Sequence, residues 1–255
     1  MILDQFKLTN RSALILGGNR GLGIEMGKAL AEAGASVAVA ARDSDKNAEA
    51  VLELEAIGEG NTMGVCCDVV DEAQVNQVVN QVNEEFGSID ILINSAGINI
   101  RGSVEEVSAE DFRKVMDVNV TGSWLGCKAV TPFMKKQEYG RIVNIASMLS
   151  VIGMADRTPY TASKGGVLNM TRALAVELAP WKITANAILP GPFATEMNLP
   201  LLDDPEKYQA FVSNIPLRRW GELKEIGGLA LFLSSAASSY CTGGAFTIDG
   251  GWTAK

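Results

Sequence analysis

The sequence predicts a single α/β domain, a doubly wound parallel sheet with helices on both faces. Strand-length apolar runs alternate with helix-length amphipathic stretches from one end of the chain to the other. The runs are continuously apolar, as expected of strands covered on both faces. No internal repeat or linker divides the 255 residues, and the only low-complexity tract is a short SSAASS.

Taken in order, the strands are predicted at 13–16 (ALIL), 37–40 (VAVA), 63–67 (MGVCC), 89–94 (IDILIN), 141–145 (RIVNI), 184–188 (TANAI) and 245–248 (AFTI). Helical periodicity or helix-favouring composition fills 24–33, 72–86, 109–136 and 161–179 between them. Residues 190–216 break the rhythm with a proline-rich run of mixed apolar and acidic residues. A long insertion at the carboxyl end of a strand is where such folds keep substrate loops, so a lid is expected there. Met197, Leu199, Leu201, Leu202, Tyr208 and Phe211 would line a pocket or pack the lid on the core.

Composition excludes several function classes. Net charge is −8 and no block of Lys or Arg occurs, which argues against nucleic acid or an anionic membrane as partner. No apolar run approaches the roughly 18 residues of a membrane span, and the N-terminus lacks the apolar core of a signal peptide, so a cytoplasmic protein is expected. Cys66, Cys67, Cys127 and Cys241 lack metal-like spacing, and the adjacent pair is expected to be buried thiols in a strand. There is no histidine, which removes Ser-His-Asp and Cys-His hydrolase chemistry and the usual zinc sites. No metal is expected. Acid–base work falls to Tyr, Lys or carboxylates.

Three stretches carry chemistry. The first strand runs into GGNRGLG (17–23) and then a helix, a context that brings backbone N–H groups to a pyrophosphate at a helix N-terminus. The second strand ends in ARDS, where Arg42 and the loop residue Arg20 offer positive charge to a ribose 2′-phosphate. The alternative has Asp43 touching the ribose, although Asp43 also reads as a helix N-cap. PYTASK places Tyr160 and Lys164 four residues apart, on one helix face. An ammonium about 4 Å from a phenol contributes roughly 4 kcal/mol at an effective dielectric of 20. That would lower the phenol pKa by up to about three units.

With these motifs in order, the whole chain resembles the short-chain dehydrogenase/reductase family. The glycines are Gly17, Gly21 and Gly23; Asp68 stands in CDV, NSAG spans 94–97, and Asn119 stands in DVNVTG. Ser147 lies in NIASM, Tyr160 and Lys164 form YxxxK, and Pro190, Gly191 and Thr195 form PGxxxT. The resemblance implies a Rossmann-type fold and hydride transfer between nicotinamide and a ketone or secondary alcohol. It makes Asn119, Ser147, Tyr160 and Lys164 catalytic: Tyr160 as acid, Ser147 on the substrate oxygen, Lys164 also on the nicotinamide ribose, and Asn119 holding a water of the proton relay. It implies cofactor contacts from Gly17, Asn19, Arg20, Gly21, Leu22, Gly23, Arg42, Asp68, Val69, Asn94, Ala96, Gly97, Tyr160, Lys164, Pro190, Gly191 and Thr195. The cofactor expected is NADP, with NAD as the alternative.

Local runs such as INIRGSVEE and RRWGELKEIGG resemble the gluconate 5-dehydrogenase and keto-sugar-acid branch. A sugar acid, keto sugar or polyol is therefore the expected substrate, with Arg101 beside Ser147 and Tyr160 as a substrate contact. The alternatives are a 3-oxoacyl-carrier-protein reductase, a general carbonyl reductase, and a nucleotide-binding regulatory module without catalysis. The resemblance also implies a homotetramer, or a homodimer, in which the helices at 109–136 and 161–179 pair across a dimer and the C-terminal strand completes the tetramer. Two positions depart from the family: Leu16 replaces the usual Thr before the first glycine, and Ser95 the second Asn of NNAG. Both normally tie the glycine loop to the fourth strand.

Overall fold

The computed structural model describes residues 1–195 and 205–254. Seven strands form one sheet in the order β3-β2-β1-β4-β5-β6-β7, every pair parallel. They are β1 (Ser12–Leu16), β2 (Ser36–Ala41), β3 (Thr62–Cys66), β4 (Ile91–Asn94), β5 (Gly140–Ile145), β6 (Ile183–Pro190) and β7 (Ala245–Ile248). The helices are α1 (Gly21–Glu32), α2 (Ser44–Glu55), α3 (Glu72–Phe86), α4 (Ala109–Met116), α5 (Gly122–Gln137), α6 (Thr158–Leu178), α7 (Pro205–Val212) and α8 (Glu225–Ser234). The strand order reverses between β1 and β4, with Ala13 in register with Ile91. A crevice opens at the carboxyl ends of the strands where the order reverses.

Successive side chains of a strand point to opposite faces, which gives the sheet two cores. Leu14 and Leu16 face Val75, Val79 and Val130 from α3 and α5. Ala13 and Ile15 face Met26, Leu30 and Ile226 from α1 and α8. Local signals fix the helix ends. Asp71 caps α3 by accepting from Ala73 N and Gln74 N, and Gly87 ends it at φ +79°. Helix α1, by contrast, has no side-chain cap at its N-terminus, which leaves its first N–H groups for a ligand.

One expectation is refined and one corrected. The stretch 109–136 is helical throughout, with α4, a five-residue π turn over Asp117–Thr121 and α5 in unbroken succession. The thiol pair is not buried as a pair: Cys66 is exposed and Cys67 buried. Cys66 is the last residue of the edge strand β3, and its thiol donates to the Arg42 carbonyl at 3.3 Å while staying exposed. Burial raises the Cys67 thiol to about 11.

Candidate active site

A cleft of about 920 Å³ lies at the switch point between β1 and β4. Its floor is the glycine loop. Gly17 sits at φ +77°, and a Cβ there would stand 2.5 Å from Ala96 N. A Cβ on Gly23 would stand 2.1 Å from the Gly17 carbonyl oxygen. Only glycine allows the loop, β4 and α1 to close together in this way. Backbone bonds supply the tie that Leu16 and Ser95 cannot make with side chains: Ser95 N and Ala96 N donate to the Leu16 carbonyl at 2.8 and 2.9 Å.

One end of the cleft is cationic. Arg20, Arg42 and Lys46 line it together with Asn19. Asp43 lines the same end, and its carboxylate accepts from Lys46 N at 3.1 Å and caps α2. Asp68 and Val69 line the middle, with one Asp68 oxygen accepting from Val70 N. Gly21, Leu22, Gly23, Ala96 and Gly97 also face the cleft, as do Pro190, Gly191 and Thr195. Asn94 is buried behind the wall instead. Its amide donates to Asn144 Oδ1 at 2.8 Å and to the Ser123 carbonyl, joining β4 to β5 and α5. A glycine cradle, an uncapped helix start and a cationic end together fit a phosphorylated dinucleotide.

The other end holds Ser147, Tyr160 and Lys164, all lining the same cleft. Ser147 follows β5 and caps a short turn, its Oγ accepting from Leu149 N at 3.1 Å. Ser150 Oγ then donates to the Lys164 carbonyl at 2.9 Å, pinning that turn to α6. Lys164 is only 4% exposed, and its Nζ donates to the Ile145 carbonyl at 2.6 Å. Burial lowers its pKa to about 8.

The expected lowering of the Tyr160 pKa is not what the structure gives. Burial raises it above the ordinary phenol value, and a hydrogen bond with Ser147 opposes that rise. Lys164 Nζ lies 5.7 Å from the Tyr160 ring centroid. The phenol is therefore held neutral, as a proton donor must be.

Asn119 sits in the π turn, fully buried, with its amide committed. Oδ1 accepts from Ile98 N at 2.8 Å, and Nδ2 donates to the Ile98 carbonyl at 3.0 Å and to Ser163 Oγ at 2.9 Å. Ser163 Oγ donates to the Tyr160 carbonyl at 2.8 Å. An asparagine within an apolar helical stretch has no evident structural reason in the sequence. The reason is this link from the loop after β4 to the helix carrying Tyr160. Sequence reasoning misses Ser163, whose only signal is a small polar residue three positions after Tyr160. It misses Lys46 too, because nothing in the sequence separates it from a solvated lysine.

Arg101 is exposed on the loop after β4 and does not line the cleft. The same loop bonds to the segment before α6 through Gly102 N and the Asp156 carbonyl at 3.3 Å. Arg157 is half-buried there, its pKa lowered by burial and by the nearby Arg101 charge. Of the expected lid, residues 196–204 lie outside the described residues, and Met197, Leu199, Leu201 and Leu202 with them. The described residues on either side of 196–204 are anchored. Phe193 bridges to Gly221, and Phe211 on α7 stacks on Trp220 at 4.8 Å and meets Trp252 at 4.9 Å. Tyr208 on the same helix is half-buried.

The family model described as enoyl-(acyl carrier protein) reductase matches residues 17–253. Gluconate 5-dehydrogenase of Gluconobacter oxydans is 38% identical over 250 residues, covering 98% of this chain and 97% of the relative. A 3-oxoacyl-[acyl-carrier-protein] reductase of Synechocystis is 36% identical over 245 residues, covering 96% and 97%. Among solved structures, a gluconate 5-dehydrogenase from Burkholderia cenocepacia in complex with NADP and tartrate superposes with TM-score 0.95. It is 34% identical and covers 100% of both chains. Similarity of this extent, on a sheet whose switch-point cleft is lined by the glycine loop, Ser147, Tyr160 and Lys164, makes the chain a member of the short-chain dehydrogenase/reductase family.

Proposed function

We propose that this protein is an NADP-dependent oxidoreductase that interconverts a ketone and a secondary alcohol on a sugar acid, in the manner of a gluconate 5-dehydrogenase. The observation that carries the reading is the cleft itself, cationic at Arg20 and Arg42 and closed at its far end by Ser147, Tyr160 and Lys164. Bound NADPH supplies the hydride, and NADP accepts it in the reverse direction. The chain's own residues manage the oxygen and the proton. Ser147 and Tyr160 hold the carbonyl oxygen, and Tyr160 delivers its phenolic proton as negative charge develops there. Lys164, buried beside it, stabilises the phenolate that remains. Arg20 and Arg42 hold the 2′-phosphate, and the α1 N-terminus holds the pyrophosphate.

Arg101 serves as the selector for a substrate carboxylate, supported by its place on the loop that packs against the segment before Tyr160. Residues 190–216 act as the substrate lid. Exposed apolar side chains on α4, α5 and α6 (Phe112, Trp124 and Val176) support association of these helices in a homotetramer or homodimer. Among the described residues no helix is long and apolar enough to cross a membrane, and we assign the protein to the cytoplasm.

The test is turnover of a panel of keto sugar acids, keto sugars, polyols and 3-oxoacyl thioesters with NADPH and NADH. A keto sugar acid should be reduced fastest, with NADPH. Tyr160→Phe should lose at least about a hundredfold in kcat with its circular dichroism unchanged. Faster reduction of a 3-oxoacyl thioester would replace this reading with that of an acyl-carrier-protein reductase, as in the Synechocystis relative.

A further inference from the structure

Asn47 lies in the first turn of α2 and is 2% exposed. Asparagine is a poor helix former because its amide competes for nearby backbone groups. Here the amide bonds to three other segments. Nδ2 donates to the Ala41 carbonyl at the end of β2 and to the Val65 carbonyl of β3, both at 2.9 Å. Oδ1 accepts from Asn19 Nδ2 in the glycine loop, also at 2.9 Å. The approach to β3 is close, since a Cβ on Gly64 would stand 3.0 Å from the Asn47 carbonyl oxygen.

Two of these partners are chain neighbours of the cationic residues. Asn19 immediately precedes Arg20, and Ala41 immediately precedes Arg42. One buried side chain thus grips the residue before each arginine, although the two arginines belong to different segments of the fold. Both arginines line the same end of the cleft. Two guanidiniums share one phosphate only if their backbones are held at a fixed separation, because paired charge-assisted bonds tolerate little misplacement.

We propose that Asn47 is a positioning residue that sets the separation of Arg20 and Arg42 and so selects a cofactor carrying a 2′-phosphate. The inference rests on the NADP reading above, and its test is binding rather than turnover. Dissociation constants for NADPH and NADH are measured by calorimetry on the purified protein, with 2′,5′-ADP as a third probe. In Asn47→Ala, affinity for NADPH and 2′,5′-ADP should fall about tenfold to a hundredfold, the weight of one charge-assisted contact. Affinity for NADH should change much less. Adding Arg42→Ala to Asn47→Ala should weaken NADPH binding by less than the sum of the separate losses.

Equal losses for NADPH and NADH, or no loss, would overturn the inference and leave Asn47 a purely structural amide. If Asn47→Ala does not fold, Asn19→Ala removes the loop side of the link and leaves the bonds from Asn47 to β2 and β3 in place. The same selective loss is expected, and an unselective loss or none overturns the proposal. A wild-type protein that binds NADPH no more tightly than NADH would overturn the cofactor reading, and the inference with it.

Discussion

Lys164 Nζ donates to the carbonyl oxygen of Ile145 at 2.6 Å, so the ammonium of α6 is fastened to the last residue of β5. The bond aims a cation into the cleft, but burial holds the lysine pKa at about 8, against an ordinary value near 10.5. A buried cation of this kind destabilises the fold when charged. Below about pH 8 both folded and unfolded chains carry the proton and the penalty is complete. Between about 8 and 10.5 the unfolded chain binds more protons than the folded one, so stability rises with pH.

Lys164→Met should therefore be more stable than wild type at pH 7. Removing the charge recovers up to about 3 kcal/mol, less about 1 kcal/mol for the Ile145 carbonyl that loses its donor. The excess should shrink as pH rises from 8 toward 10, while turnover stays abolished throughout. Urea unfolding across that pH range is the measurement, and a variant less stable than wild type at pH 7 would refute the account.

Gly23 and Gly21 should respond differently to alanine. A Cβ at Gly23 would collide with the Gly17 carbonyl oxygen, whereas one at Gly21 would meet nothing within 4 Å. Gly21 instead sits at φ +54°, where alanine costs about 1–2 kcal/mol of backbone strain. Gly23→Ala should cost more, in the upper part of the roughly 1–3 kcal/mol range for overpacking, and should displace the loop from its ligand. Chemical unfolding and quenching of tryptophan fluorescence by dinucleotide should both place Gly23→Ala as the worse variant.

Asn119→Ala should lose both stability and rate. It takes the side-chain partner from both Ile98 N and the Ile98 carbonyl, each buried group left unpaired costing about 1–3 kcal/mol, and removes the amide from Ser163. Because Ser163 also bonds the Tyr160 carbonyl, the helix turn carrying the acid loses its brace to the loop after β4. The expected signature is a lower kcat with a nearly unchanged NADPH dissociation constant, measured below the variant's melting temperature. Weaker cofactor binding at unchanged kcat would place the role of Asn119 at the wrong end of the cleft.

The central strands β1 and β2 are legible in the sequence because they are buried on both faces: ALIL and VAVA admit no polar residue, and the observed strands extend those runs by one or two residues. Helix α3 is legible to the residue because Asp71 and Gly87 mark its two ends. The π turn between α4 and α5 is not, since its Asn119 bonds Ile98, distant in sequence. Nor is the ionisation of Tyr160. Spacing on a helix tells which residues share a face, but the phenol's pKa is set by its burial and by Ser147, which arrives from β5. The place of Asp43 is half legible, in that the sequence offers its capping of α2 and the structure adds that it also lines the cleft.

The pairing of β1 with β4 has a consequence for how the protein acquires its affinity. The glycine loop is local in sequence, yet its Leu16 carbonyl is held by Ser95 and Ala96, from a segment that emerges only after two further strands and the helices between them. A nascent chain ending before β4 owns the whole glycine motif and lacks the surface against which it closes. Pairing across so long a span is slow to form, so nucleotide affinity should be a late acquisition during folding. Once bound, the nucleotide shifts the balance against separation of β1 from β4 by mass action. In a cell, the supply of cofactor would then set how long the finished sheet survives before proteolysis.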